Sequence, residues 1–156
     1  QIHREKILAT HLRRGASEYD YIVIDCPPSL NVLTINAIYA ADLVLIPTTY
    51  GLYSLDGIAD LFRSIEAVKE GESYEYRILR NGFDARTKQS NRVIEENLDP
   101  HRANVLNTVI RKVEAINQAA MIRQPIFTFD SNSAGREDFE ALTEEVLGYA
   151  AQATRR

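Results

Sequence analysis

The chain has 156 residues, 45% of them hydrophobic and 26% charged, with a net charge of −4. That length can bury roughly 70% of its unfolded surface in one core. Its single cysteine, Cys26, excludes an internal disulfide framework and a multi-cysteine metal site, and no apolar run approaches the ~20 residues of a membrane span.

A first helix is predicted over 2–14, where Ile2, Ile7, Leu8 and Leu12 form a rough apolar stripe and Gly15 closes it. The run YDYIVIDCPP comes next, at 19–28. Tyr21 to Ile24 is continuous, apolar and partly β-branched, which predicts a parallel strand over 21–25 covered on both faces. Asp25 would then end the strand at the sheet edge where open α/β folds place ligands. A carboxylate there can hold Mg²⁺ beside nucleotide phosphates; the blander alternative is a cap for the next helix. Cys26 reads as a small buried residue, and Pro27 and Pro28 stiffen the loop after the strand.

Beyond the prolines the pattern predicts a helix over 30–41, a strand over 43–47 and an amphipathic helix over 55–69 with Gly71 as its terminator. A strand over 76–79, a helix over 88–98 and a strand over 105–110 come next. Residues 113–122 read as helical, 125–129 as extended and 135–153 as a closing helix. Strands alternating with helices imply right-handed βαβ units. The expected fold class is therefore α/β, a mostly parallel, doubly wound sheet with helices on both faces, in one domain over 1–156.

Charge is unevenly distributed. From Arg77 to Arg123 there are nine basic and five acidic residues, while the remainder holds nine basic and seventeen acidic ones. This is compatible with a basic face on an acidic molecule, and equally with ordinary solvated helix faces. His3, His11 and His101 are too scattered for a metal site. Met121 reads as core filler.

The stretch YDYIVIDCPPSLNVLTINAIYAADLVLIP resembles the Walker B and switch II region of the ParA-type partition ATPases, the group that includes MinD. Further along, Ser54, Leu55 and Gly57, then Asp84, Arg86, Thr87 and Ser90, are similar to later segments of that family. So are Pro125, Ile126, Asp130, Ser133 and Gly135, with the EEVL at 144–147. The resemblance implies a P-loop NTPase-like fold, ATP and Mg²⁺ as cofactors, and ATP-dependent formation of a homodimer. It also implies hydrolysis stimulated by a ParB-like partner protein and nonspecific DNA binding, which would place the protein in the cytoplasm on the nucleoid.

On that resemblance Asp25 carries the metal contact and the catalytic role, and Pro27, Pro28 and Ser29 belong to the switch. Asn81 and Asp84 come after the third strand, where P-loop folds commonly recognise a base, although Asn-Gly is itself a turn signal. Arg111 sits in another loop on the ligand edge, but the family's proline- and arginine-bearing sequence is not reproduced between 111 and 124. Candidates for DNA phosphates are Arg80, Arg86, Lys88, Arg92, Lys112 and Arg123.

One part is missing. No G-x-x-x-x-G-K-[ST] occurs, and the seven glycines are scattered at 15, 51, 57, 71, 82, 135 and 148. The phosphate-cradling backbone N–H groups and the P-loop lysine are therefore not in this chain. The expectation is the carboxy-terminal portion of a partition ATPase, incomplete on its N-terminal side and inactive alone. Such a piece should self-associate along its bare strand edge or be only marginally stable. The alternative is a non-catalytic DNA- or protein-binding module. The ending GYAAQATRR lacks the bulky apolar residues of a membrane-binding helix, so no membrane partner is expected.

Overall fold

The computed structural model describes residues 4–15, 18–27, 29–50, 54–69 and 74–153. They fall into two compact units, Gln1–Val44 with Asp56–Glu75, and Leu45–Leu55 with Tyr76–Arg156.

In the first unit a short 3-10 turn, Arg4–Lys6, leads into helix α1 (Ile7–Gly15), and α2 spans Val32–Ala40. Asn31 starts α2 as an N-cap, its side chain accepting from the N–H of Leu33 at 2.9 Å and of Thr34 at 3.2 Å. Buried Asn36 has its amide satisfied: Nδ2 donates to the carbonyls of Arg4 and Val32, and Oδ1 accepts from Leu8 N–H. This single side chain ties α2 to the start of α1. Lys69, the last residue of α3 (Ser54–Lys69), donates from Nζ to the carbonyls of Tyr39 and Ala41, placing a cation where the dipole of α2 favours one.

The sheet has three strands in the order β1 (Leu43–Thr49), β2 (Glu75–Phe83), β3 (Val105–Arg111). Strands β2 and β3 run parallel. Around them lie α4 (Lys88–Leu98), a 3-10 segment Asp99–Asn104, α5 (Glu114–Met121), α6 (Ile126–Phe129) and α7 (Ala134–Ala153). Successive strand residues point to opposite faces. Ile78 and Leu79 are both buried, so the central strand is covered on both sides, as expected of a parallel sheet. Leu79, Leu106 and Ile110 form a core against Ile116, Phe139, Leu142, Val146 and Tyr149. Gly135 lets α7 approach α5, because a Cβ there would lie 2.7 Å from Ile116 Cγ1.

The free side of β3 is closed by side chains rather than by another strand. Glu145 of α7 accepts from the backbone N–H groups of Asn107 and Thr108, each at 2.8 Å. Asp138 accepts from Arg111 N–H, also at 2.8 Å. Three edge donors thereby find carboxylates on the helix that packs over them.

Several expectations need correction. Residues 21–25 do not form a buried strand: they carry no regular secondary structure, and Val23 is 93% exposed. A continuous apolar run becomes an interior strand only when strands flank it and layers cover it, and none does so here among the described residues. Cys26, expected to be buried with that strand, is exposed. Residues 126–129 form a helical turn rather than an extended segment. Pro125 enters it with φ −61°, and its carbonyl accepts from Thr128 and Phe129 N–H, so local capping overrides the strand-like composition. Met121 is 80% exposed at the end of α5, not core filler. Pro28, His3 and Gly71 lie outside the described residues.

Candidate functional site

The carboxyl ends of parallel strands are where this class of sheet places ligands, and in the second unit two segments meet there. Asn81 and Gly82 lie inside β2, opposite the end of β3, at a register shift between Asn81 and Phe83. Gly82 has φ +75°, the left-handed region that glycine occupies without strain. The Asn-Gly pair is thus a strand irregularity, not the free turn that its composition suggests. Main-chain N–H of Lys112 donates to Phe83 O at 2.8 Å, which holds the two strand ends together.

Asp84 organises the loop after β2. Its carbonyl accepts from Thr87 N–H, Thr87 Oγ1 and Asn91 Nδ2, fixing the start of α4. Its carboxylate accepts from three Arg86 donors: backbone N–H to Oδ1 at 3.0 Å, Nε to Oδ1 at 2.9 Å and Oδ2 at 3.2 Å, and Nη2 to Oδ2 at 2.6 Å. The Arg86 side chain, then its backbone N–H, hold the Asp84 carboxyl well below the usual carboxylate range. Arg86 still projects into solvent, with its side chain 85% exposed.

Arg111 is engaged within the fold. Its guanidinium donates to Asp138, to Glu137 and to the Ala134 carbonyl. The Asp138 and then the Glu137 bonds raise its affinity for its proton. Arg80 is similarly held, at 3.1 Å from Glu95 Oε1 and donating to the carbonyls of Leu106 and Asn107. Its Nε is buried without a partner. Glu95 gathers Arg80, Arg102 and the Tyr50 hydroxyl. Burial pushes the Glu95 carboxyl up, but bonds from Arg80, Arg102 and Tyr50 outweigh it and the net shift is downward. Burial and then the Glu95 charge push Tyr50 up to about 12. Tyr50 also meets Phe83 edge-on, at 5.3 Å between ring centroids.

Lys88, Arg92, Lys112 and Arg123 are exposed, Arg92 being paired with Glu96 at 2.7 Å. Asn81 is half-buried, and its side-chain amide makes no hydrogen bond among the described residues. Asp25 belongs to the first unit, exposed, with Pro27 and Ser29 beside it; Pro28 is outside the described residues. The described residues contain no group of three or more His, Cys, Asp or Glu able to hold a metal ion. Asp25 therefore fits Mg²⁺ only as one hard oxygen ligand, with phosphates and water supplying the rest.

Sequence reasoning missed Tyr50, Glu95, Asp138 and Glu145. On a helix the three acids look like a solvated face, and only the fold turns them inward.

A family model described as an AAA domain matches residues 1–80. The chain is 37% identical over 150 residues to the chromosome partitioning protein ParA of Myxococcus xanthus, covering 94% of this chain and 53% of that protein. It is 38% identical over 148 residues to the sporulation initiation inhibitor protein Soj of Bacillus subtilis, covering 93% and 58%. In structure it resembles a plasmid partition protein of Borrelia burgdorferi bound to AMPPNP, with TM-score 0.78 and 26% identity over 96% of this chain and 58% of that one. The chain thus spans little more than half the length of these relatives.

Proposed function

We infer a function from the premise that this chain belongs to the ParA/Soj partition ATPases, an α/β P-loop NTPase-like family. It supplies the distal part of the nucleotide site of an ATPase that segregates chromosomal or plasmid DNA. Asp25 offers the carboxylate for Mg²⁺, with Pro27, Pro28 and Ser29 as the adjoining switch. Asn81 faces the base from the irregular end of β2, Asp84 sets the loop beside it, and Arg111 sits at the end of β3. Lys88, Arg92, Lys112 and Arg123, with the exposed part of Arg86, are the groups available to DNA phosphates.

The observation that carries this reading is the carboxyl edge of the sheet. Asn81 stands there with an unbonded amide, in a chain 26% identical to a nucleotide-bound partition protein. The chain contains no phosphate-cradling glycine loop. Asp25 and Asn81 therefore act only together with a segment that supplies that loop, and the chain alone does not hydrolyse ATP. No described helix is long and apolar enough to cross a membrane. The dimer and the ParB-like stimulating partner are parts of the same proposal.

Calorimetry with ATP and Mg²⁺ tests it, comparing this chain alone with the chain fused behind a P-loop segment from a relative. Binding by the fusion only, abolished by Asp25→Asn, is the expected result. Binding or hydrolysis by the chain alone would overturn it. Binding by neither leaves the non-catalytic docking module as the better reading.

A further inference from the structure

Asp84 stands three residues beyond Asn81, where the Lys112 N–H to Phe83 carbonyl bond ties the ends of β2 and β3. Both oxygens of its carboxylate are occupied by the Arg86 guanidinium. Nε donates to Oδ1 at 2.9 Å and to Oδ2 at 3.2 Å, and Nη2 donates to Oδ2 at 2.6 Å. The Arg86 side chain is 85% exposed and that of Asp84 only 17%, so the arginine lies on the solvent side of the acid.

The loop keeps its shape by other bonds. The Asp84 carbonyl accepts from Thr87 N–H, Thr87 Oγ1 and Asn91 Nδ2, and Arg86 gives its backbone N–H to Oδ1 at 3.0 Å. None of these involves the Arg86 side chain. The guanidinium therefore sets what Asp84 can accept, while the backbone sets where Asp84 stands.

Base chemistry gives that pairing a consequence. Guanine presents N1–H and its N2 amino group side by side, two donors that match the two oxygens of a carboxylate. Adenine presents an N1 lone pair at that edge and no amino group at C2, so a bare carboxylate repels it. A free Asp84 beside a base at Asn81 would select guanine. Held by Arg86, it has no oxygen to offer, because a charged bidentate donor binds a carboxylate more strongly than neutral N–H groups do. Guanine would have to displace the arginine or leave its own donors unpaired, and either costs affinity.

We propose that Arg86, by closing the Asp84 carboxylate, makes this site take adenine nucleotides and reject guanine nucleotides. The inference rests on the reading that Asn81 faces the base, and it names the residue that sets the nucleotide class of that site. Arg86 acts through Asp84 without touching the base, so it is a positioning residue.

Calorimetry of the P-loop fusion with ATP and with GTP, each with Mg²⁺ and without DNA, tests it. The parent fusion should prefer ATP. In Arg86→Ala the ratio of the GTP to the ATP dissociation constant should fall by about tenfold or more, the effect of one bidentate base contact. Adding Asp84→Asn should cancel most of that fall, since an amide offers guanine one acceptor and an opposing donor. Thermal melts check folding; if Arg86→Ala melts early, Arg86→Met keeps the stem without a donor and carries the same expectation. An unmoved ratio in folded variants that still bind ATP overturns this inference and leaves the nucleotide reading standing. A fall that survives Asp84→Asn does the same, as does a parent that prefers GTP. Loss of both nucleotides in folded Arg86 variants also overturns it, because selectivity would then not be what Arg86 controls. Binding of neither nucleotide by the parent fusion overturns the nucleotide reading and this inference with it.

Discussion

Strand β3 and the segment 21–25 are both short apolar runs, yet one is built into the molecule and the other is bare. In β3, Leu106 is fully buried, and α7 covers both its side chains and its outer N–H groups. In 21–25, Val23 is almost wholly in solvent. Segment 21–25 is the more hydrophobic of the two, with four apolar residues of five against four of seven in β3. Neighbours decide the outcome: β3 has β2 on one edge and α7 carboxylates on the other, while 21–25 has no strand partner among the described residues.

The sharpest way to break this comparison is to make the same kind of truncation in both. Leu106→Ala should cost about 2–5 kcal/mol in a denaturant titration, because it opens a cavity in a packed core. Val23→Ala should lie within about 0.5 kcal/mol of the parent in dilute solution. Equal losses would mean that the segment is packed after all. Gly82→Ala should come next in size, at about 1–2 kcal/mol, since its φ of +75° is strained for any side chain although space is open. A neutral result by thermal melting would say that the end of β2 relaxes without that conformation.

The seal on β3 predicts a smaller and pH-dependent effect. Burial pushes the Glu145 carboxyl up, but the bonds from Thr108 and Asn107 outweigh it, so its folded affinity for a proton is lower than in the unfolded chain. A lowered carboxylate stabilises the fold above its unfolded pKa of ~4.3, and that contribution disappears as pH falls through the folded value. Glu145→Gln should therefore cost about 1 kcal/mol at neutral pH and flatten the acid limb of a stability-against-pH curve. An unchanged acid limb would remove Glu145 from the account. The smallest effect expected is a gain. Thr48 has a buried hydroxyl without a partner, so Thr48→Val should stabilise by up to about 1 kcal/mol. A loss on chemical denaturation would show that the hydroxyl is satisfied.

Periodic helices were legible because their burial follows their own pattern: α4 occupies Lys88–Leu98, the predicted range. Strands β1, β2 and β3 were legible as apolar runs flanked by helices, although β2 extends to Phe83 through an irregularity that composition does not signal. Residues 21–25 read as a buried strand and carry no regular secondary structure, because a run with no alternation promises a strand only where partners flank it, and none does among the described residues. The turn at Ile126–Phe129 was lost for the opposite reason: Pro125 caps it locally, and β-branched and aromatic residues hide the turn. For the candidate site, Asp84 and Arg86 were visible as a charged loop after a strand. That Arg80 and Arg111 are held by Glu95, Glu137 and Asp138 was not visible, since such pairings cross 15 to 27 residues of sequence.

Amide hydrogen exchange on the dilute chain tests the contrast most directly. Residues 106–110 should be protected to near the global stability, while 21–25 should exchange as fast as an unstructured peptide. Comparable protection of the two segments in dilute solution would contradict the account, because it would show that 21–25 already has a strand partner within one copy.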